Sequence, residues 1–406
     1  MGFRRLIARR PSNRSAGSAT IRGRLYVGVL AILLVLAISG LVIRGQLENG
    51  HATRGSTAAF NADIDPGTPL RGRPAPNFTL TNQFNAPTSL SQFRGKIVVL
   101  AFVDSECTSI CPLTTMSMLQ AKSMLGAHAS DVQLIGINAN PIATSVADVS
   151  AYSTAHAMTN RWDFLTGSRA QLSTVWHEYN VYVAAIHGNI DHEPAIYIIG
   201  PHGGERMLFL TQMAYANATQ QAQLLADAVA ALLPGHPKLP KPVSLKALPV
   251  VRPEAELSLP VVGGDSNVRT VRIGPGHPHL LVFFATWLQE TSNLTNELTN
   301  LNHYAATARR HGWPSLVLID ETTTEPSPNA LADFLHRRMK AHLDYPITVD
   351  SKGLLADGYG VQNLPCTILT SATGHLLFTN QDYSGWPPIG GLEAAVGHAV
   401  AAASGH

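Results

Sequence analysis

The sequence is poor in cysteine and in charged residues. Only 3 of its 406 residues are Cys, and charged residues make up 14%. So few cysteines exclude the disulfide-dense scaffold of small secreted domains, and they allow one Cys pair plus one odd thiol. The low fraction of charged residues, together with 45% hydrophobic residues, excludes a disordered or coiled-coil chain. The length suits two or three globular domains with real cores.

Signatures of several enzyme classes are missing. The sequence has no GxxxxGK phosphate loop, no GxSxG nucleophile elbow and no HExxH zinc motif, so it gives nucleotide-binding and hydrolase functions no support. The formal net charge is only +2, yet residues 1–24 contain seven Arg and no acidic residue, which leaves a net charge of −5 on the rest. A chain-wide basic surface for nucleic acid is therefore excluded.

Residues 25–43 form a run of nineteen uncharged residues between Arg24 and Arg44. At about 1.5 Å per residue, a helix of that length spans most of a ~30 Å hydrocarbon core. The arginine-rich tail at 1–24 predicts a cytoplasmic amino terminus, with the body extracytoplasmic or periplasmic. We predict an uncleaved single-pass transmembrane anchor in the cell membrane, followed by a polar tether at 44–70. A cleaved signal peptide is the alternative.

Two parts of the body resemble each other. Residues 74–107 and 252–288 each run from a proline-containing lead-in to a buried strand, IVVLAFV or LLVFFAT, and Pro194 and Pro365 each precede a later apolar strand. Further strands at 134–138 and 315–320, with helical segments between, complete a repeated βαβ pattern. The predicted fold class is α/β, with two tandem thioredoxin-like sandwiches at 71–233 and 251–406. A linker with five prolines, at 234–250, joins them.

The residues with metal-binding chemistry lie in the first sandwich. Cys107 and Cys111 follow the buried strand in DSECTSICPLT, and Pro112 fits the first turn of a helix. A helical turn would place both sulfurs on one face at a helix amino terminus, which stabilises thiolates. His192 directly precedes the later strand, and we expect its loop to face the cysteine turn. Two thiolates with one imidazole favour Cu(I), and an open zinc site is the competing interpretation.

The CxxxCP turn, the Asp191–His192 pair and the segment YIIGPHG together resemble the Sco/SenC family over about residues 74–233. Members of that family are membrane-anchored, thioredoxin-fold copper proteins that help to assemble the copper A centre of cytochrome c oxidase. The resemblance implies copper ligation by Cys107, Cys111 and His192. It also implies two partners. One is a respiratory oxidase subunit or other copper acceptor, and the other is a thiol reductant protein.

Two enzyme interpretations stay open beside this metallochaperone. The first is a thiol–disulfide oxidoreductase that reduces partner cysteines through Cys107 and Cys111, with no metal of its own. The second is a thiol peroxidase, which the sequence VDSEC disfavours because it lacks the usual Pro/Thr pattern around the reactive Cys. Among the neighbouring residues, we expect His187 to be a loop histidine and both Asp104 and Glu106 to be solvated acids.

The second sandwich has lost a cysteine pair. FFATWLQET resembles the FWATWCxxC segment of TlpA/ResA-type domains, a resemblance that covers about residues 255–401, but Leu288 and Thr291 occupy the two Cys positions. Leu and Thr cannot form a disulfide, so this half is predicted to be redox-inactive. Pro365 matches the cis-proline of those domains, and we expect Cys366 to begin a buried strand and to be inert.

Overall fold

The computed structural model describes residues 60–265, 267–380 and 386–404. The predicted cytoplasmic tail, the anchor at 25–43 and most of the tether lie outside the described residues. Within the described ranges, no helix combines the length and the apolar character that crossing a membrane requires.

The first half of the described chain contains ten strands and four α-helices. The strands are β1 (Thr68–Pro69), β2 (Thr79–Asn82), β3 (Pro87–Ser89), β4 (Ile97–Val103), β5 (Val132–Asn138), β6 (Asp163–Thr166), β7 (Val183–Ile186), β8 (Asn189–His192), β9 (Ala195–Ile199) and β10 (Glu205–Leu210). The helices are α1 (Ile110–Met124), α2 (Val146–Ala155), α3 (Arg169–Glu178) and α4 (Ala218–Ala230). Eight strands form one mixed sheet in the order β1-β10-β9-β4-β5-β6-β2-β3, and β7 and β8 form a separate hairpin.

Strand β4 is at the centre of this sheet and is buried along its whole length. It pairs in parallel with β5 and antiparallel with β9. Because strand side chains alternate between faces, Ile97, Val99 and Ala101 enter one core together with residues of α1 and α4. Val98, Leu100 and Phe102 enter a second core together with residues of α3. Covering on both faces explains the uninterrupted apolar run in the sequence.

The second half repeats this arrangement. Its strands are β11 (Leu257–Pro260), β12 (Gly263–Gly264), β13 (Thr270–Ile273), β14 (His279–Phe284), β15 (Ser315–Glu321), β16 (Pro346–Asp350), β17 (Cys366–Thr370) and β18 (Leu376–Asn380). Its helices are α5 (Leu294–His311), α6 (Ala330–Arg337), α7 (Leu354–Gly358) and α8 (Ile389–Ser404). Six strands form a mixed sheet in the order β12-β16-β15-β14-β17-β18, and β11 pairs with β13.

The mixed α/β architecture predicted from the sequence is confirmed. In each half, three parallel strands continue into an antiparallel pair, β9–β10 in the first and β17–β18 in the second. Residues 60–406 nevertheless form one compact unit, because the two halves pack together. The division into domains at 71–233 and 251–406 therefore stays a prediction.

The proline-rich connector is fixed against the first half. Gln220 on α4 donates its side-chain amide to the carbonyl oxygens of Ser244 and Lys246, at 2.8 and 2.9 Å. The backbone N–H of Val243 donates to the side chain of Gln223, one turn further along the same helix, at 2.7 Å. The segment therefore lies along α4, where the sequence predicted only a stiff spacer between two domains.

Candidate metal centre

The cysteine turn joins the end of β4 to the start of α1. Helix α1 begins at Ile110 and is preceded by Ser109, whose side chain makes no capping hydrogen bond. The sulfur of Cys107 takes that role by accepting the backbone N–H of Cys111 at 3.4 Å. Cys107 thus lies before the helix and Cys111 in its first turn. The two cysteines meet through this cap and not through the helical spacing that the sequence suggested.

His192 comes to the same place from a different part of the chain. It is the last residue of β8 and pairs with Val183 across the β7–β8 hairpin. Its Nε2 lies 3.5 Å from the sulfur of Cys111. The sequence predicted a loop before β9 at this point, whereas the structure has a hairpin strand that presents the imidazole.

The hydrogen bonds of His192 define which ring nitrogen is free. Nδ1 lies 3.1 Å from the carbonyl oxygen of Glu193, and because a carbonyl only accepts, Nδ1 carries the proton and donates it. In the neutral ring, Nε2 then holds a lone pair directed at Cys111. Histidines that ligate metals are commonly oriented in this way, with the second nitrogen donating to a backbone carbonyl. Burial lowers the pKa of His192, which favours this neutral form.

The two thiols differ in environment. Cys107 is half-buried, and a hydrogen bond from Cys111 lowers its pKa, helped by one from the Ser109 hydroxyl, whose oxygen is 3.3 Å from the sulfur. Cys111 is 1% exposed, and burial raises its pKa well above the ordinary value. Both thiols are free in the structure. Cys107 is therefore the more acidic and more accessible thiol, and Cys111 is the buried one.

The donor atoms fit a metal of low coordination number, although they do not yet surround a common point. Among the described residues, no group of three or more Cys, His, Asp and Glu side chains is preassembled as a metal site. However, sulfur and nitrogen ligands at roughly 2.3 and 2.0 Å from one metal ion are themselves roughly 3.5 Å apart. The distance between Cys111 Sγ and His192 Nε2 is 3.5 Å. With Cys107, whose sulfur accepts the N–H of Cys111, the donors are two sulfurs and one nitrogen.

A buried acid and an amide support the cysteine turn. The carboxylate of Asp104 accepts the side-chain amide of Asn140 at 2.7 Å, and its carbonyl accepts the N–H of Cys107 at 3.2 Å. Asn140 also donates to Glu106 at 3.2 Å. Asp104 is 7% exposed, so the expectation of a solvated acid was wrong for it, while Glu106 is exposed as expected.

Asn140 is a residue that the sequence analysis missed. It follows β5, and the carboxyl ends of the parallel strands β4 and β5 meet at one edge of the sheet, which brings it to the cysteine turn. His187, in contrast, is exposed at the tip of the β7–β8 hairpin with a φ of 51°. The structure gives His187 no part in the site, in agreement with its assignment as a loop histidine.

The second half has no thiol at the equivalent turn. Leu288 is 2% exposed and Thr291 is exposed, so the two positions that hold Cys in TlpA/ResA-type domains carry no thiol here. The Leu364–Pro365 peptide bond is cis, as the resemblance implied. Cys366 begins β17 and is fully buried, and burial raises its pKa to about 12. A thiol of that kind is unreactive at neutral pH, as expected.

Comparison with known proteins agrees with the pattern of the first half. The model of the SCO1/SenC family matches residues 68–229. A SCO1 protein homolog of Bacillus subtilis is 26% identical over 131 residues, which are 31% of this chain and 68% of that protein. The mitochondrial SCO2 homolog of Bos taurus is 27% identical over 217 residues, which are 50% of this chain and 75% of that protein.

One solved structure of this kind is that of Bradyrhizobium japonicum ScoI with copper bound. It is 21% identical to this chain, with a TM-score of 0.34, and the match covers 39% of this chain and 99% of that one. The family match covers the segment that contains Cys107, Cys111 and His192. The chain therefore contains a SCO1/SenC domain, at residues 68–229.

Proposed function

We propose that this chain is a membrane-anchored, extracytoplasmic copper-binding protein that assists assembly of the copper A centre of cytochrome c oxidase. Its ligands for Cu(I) are Cys107, Cys111 and His192. The SCO1/SenC domain at residues 68–229 supports the general role. The donor set supports the metal, because two soft sulfurs and one imidazole suit Cu(I) at low coordination number.

The position of the His192 imidazole is the strongest support for a copper site. The Nε2 atom of His192 lies 3.5 Å from Cys111 Sγ, and the Nδ1 proton is engaged by the carbonyl of Glu193. A protein that used the two cysteines only for disulfide exchange has no need of an imidazole held in this tautomer. The hairpin β7–β8 thus gives the cysteine pair its third ligand.

Copper is the cargo of this protein, and the redox state of the cysteines controls loading. With both thiols reduced, the site offers two sulfur donors. Oxidation of Cys107 and Cys111 forms one S–S bond and releases two protons and two electrons, which a disulfide of another protein accepts as it becomes two thiols. Loading therefore needs a thiol reductant as one partner and a copper acceptor, such as an oxidase subunit, as another.

X-ray absorption spectroscopy of the Cu(I)-loaded full chain tests the ligand set directly. The proposal expects one copper per chain with two sulfur neighbours and one nitrogen neighbour. Loss of the nitrogen neighbour in His192→Ala, with retention in His187→Ala from the same hairpin, identifies the third ligand. A sulfur-only first shell in the unaltered protein contradicts the proposal, and so does tight zinc binding with no competition from Cu(I).

The second candidate is a metal-free thiol–disulfide oxidoreductase. It is favoured by the acidic, half-buried Cys107 beside the buried Cys111, a combination suited to attack on a partner disulfide. A disulfide-reduction assay with the full chain distinguishes the two. Turnover that continues unchanged in His192→Ala and without copper supports the oxidoreductase, whereas stoichiometric Cu(I) binding that depends on His192 supports the metallochaperone.

The membrane anchor at 25–43 is the remaining part of the proposal. Its support is the uncharged run between Arg24 and Arg44 and the excess of arginine on its amino-terminal side. An alkaline carbonate wash of membranes from expressing cells is expected to leave the full chain in the pellet. Protease added to spheroplasts is expected to degrade the body. Recovery of the chain in the wash contradicts the anchor.

A further inference from the structure

The second half of the chain covers one side of the cysteine turn. The backbone N–H of Leu364 donates to the carbonyl oxygen of Thr108 at 3.0 Å, and Thr108 is the residue directly after Cys107. Leu364 is 1% exposed. A main-chain hydrogen bond therefore joins the loop before β17 to the turn that carries the proposed copper ligands.

Apolar packing surrounds this hydrogen bond. Four buried residues of the first half belong to the hydrophobic core of the second, and they are Leu113, Ala155, Tyr215 and Ala218. Leu113 lies two residues after Cys111, on α1. The ring of His156 packs against that of Trp287, with centroids 4.8 Å apart. Trp287 directly precedes Leu288, so the turn of the second half that lacks a cysteine pair also contacts the first half.

Polar contacts fix the position of the second half against the first. The carboxylate of Asp357 accepts the backbone N–H groups of Tyr215 and Ala216, at 2.8 and 3.0 Å. The backbone at Gly353 approaches the same segment so closely that a Cβ there would lie 2.5 Å from the carbonyl carbon of Tyr215. The fit is thus a specific backbone-to-backbone match and not only apolar contact.

The interface also contains features that oppose its closure. His156 and Tyr215 are each 1% exposed, and among the described residues His156 Nδ1 and Tyr215 Oη have no hydrogen-bond partner. Burial of unpaired polar atoms costs free energy, which separation of the halves would recover by hydration. The interface thus combines stabilising hydrogen bonds and apolar packing with destabilising unpaired polar atoms. Such a balance is suited to reversible opening.

We propose that the second half is an intramolecular clamp that binds the cysteine turn, shields it from large partners and opens to allow exchange at Cys107. The clamp goes beyond the proposed copper function, because it restricts access to the thiol whether or not copper is the cargo. Closed, it admits small molecules at the half-buried Cys107 but hinders a protein partner. Open, it exposes the Thr108 side of the turn.

A matched pair of glycine variants tests the clamp in the reduced, metal-free full chain. Gly353→Ala places a methyl group against Tyr215 across the interface, and Gly360→Ala is the control. Both glycines have left-handed backbone, with φ of 66° and 68°, but a Cβ at Gly360 meets nothing within 4 Å. The backbone strain is therefore the same and only the clash differs.

The measurement is the labelling rate of Cys107 by a bulky polymer-linked maleimide and by small iodoacetamide, followed by peptide mass spectrometry. Relative to Gly360→Ala, Gly353→Ala is expected to react about tenfold faster with the bulky reagent and to change little with the small one. A tenfold change corresponds to 1.4 kcal/mol in the opening equilibrium. Equal rates for the two variants, or equal acceleration with both reagents, overturn the clamp.

If Gly353→Ala does not fold, a second pair of variants tests the clamp. Asp357→Ala removes the acceptor of two N–H groups of the first half, and Asp333→Ala is its control at an exposed position of α6, where Asp333 pairs with Arg337. The clamp predicts faster hydrogen exchange at the Leu364 amide in Asp357→Ala than in Asp333→Ala. Identical exchange in the two variants contradicts it. Neither readout involves copper, so a failed copper assignment leaves this test intact.

Discussion

The Nε2 atom of His192 lies 3.5 Å from the sulfur of Cys111, although the two residues are 81 positions apart in the chain. The contact depends on the β7–β8 hairpin, which ends at His192, and on the carbonyl of Glu193, which fixes the ring by accepting from Nδ1. Cys107 joins them by capping the helix that carries Cys111. Three donor atoms from two distant segments are thereby held at one edge of the first sheet.

The two cysteines are expected to react at different rates. Hydrogen bonds from Cys111 and Ser109 lower the pKa of Cys107, and burial raises that of Cys111. Iodoacetamide labelling at neutral pH, resolved by mass spectrometry, should modify Cys107 first. Ser109→Ala removes one donor and should slow labelling of Cys107 by raising its pKa, while Ser173→Ala, at an exposed position of α3, serves as the control. Equal rates for the two thiols contradict this asymmetry.

Burial of His156 makes stability depend on pH. Its pKa is lowered from 6.5 to about 3 by burial alone. Because the unfolded state takes up the proton and the folded state does not, the stability present above pH 6.5 is lost as the pH falls toward 3. The loss attributable to His156 between pH 7 and pH 5 is about 2 kcal/mol. Urea unfolding of the metal-free protein at the two pH values measures it.

The variant His156→Leu removes that proton-binding group while keeping an apolar side chain. The difference in unfolding free energy between pH 7 and pH 5 should shrink by about 2 kcal/mol relative to the unaltered protein. His336→Leu, at an exposed position on α6, is the control and should retain the full difference. If His156→Leu also retains it, His156 is not buried as a neutral ring.

Asn140 is expected to be necessary for the stability of the cysteine turn. Asn140→Ala leaves the buried carboxylate of Asp104 without its 2.7 Å donor and should lower the free energy of unfolding by about 1–3 kcal/mol. Asn189→Ala, at an exposed position of β8, should change it by less than about 0.5 kcal/mol. Chemical denaturation checks both, and equal small effects would show that the Asp104–Asn140 contact contributes nothing.

Much of the fold could be predicted from the sequence because its signals are local. The uninterrupted apolar runs of β4 and β14 indicated strands covered on both faces, and both strands are buried as predicted. Helical segments were predicted in both halves, although the short α7 was not. The strands β6 and β16 are short and were not predicted, and each becomes recognisable only through its parallel partner.

The site was less predictable because its geometry depends on tertiary contacts. Spacing identified Cys107 and Cys111, but the capping of α1 by the Cys107 sulfur is visible only in three dimensions. Asn140 and the burial of Asp104 follow from two strands ending at one sheet edge. The Leu364–Thr108 hydrogen bond joins residues 256 positions apart, and no local pattern marks it. The anchor at 25–43 lies outside the described residues and stays a prediction.

A Cu(I) competition titration against a chromogenic chelator tests most directly whether Cys107, Cys111 and His192 bind copper. It compares the reduced full chain with its His192→Ala and His187→Ala variants. We expect one Cu(I) per chain, an affinity at least about tenfold lower in His192→Ala, and no change in His187→Ala. Cys107→Ser should abolish tight binding. If His192→Ala binds Cu(I) as tightly as the unaltered protein, the assignment of Cys107, Cys111 and His192 as a copper site is wrong.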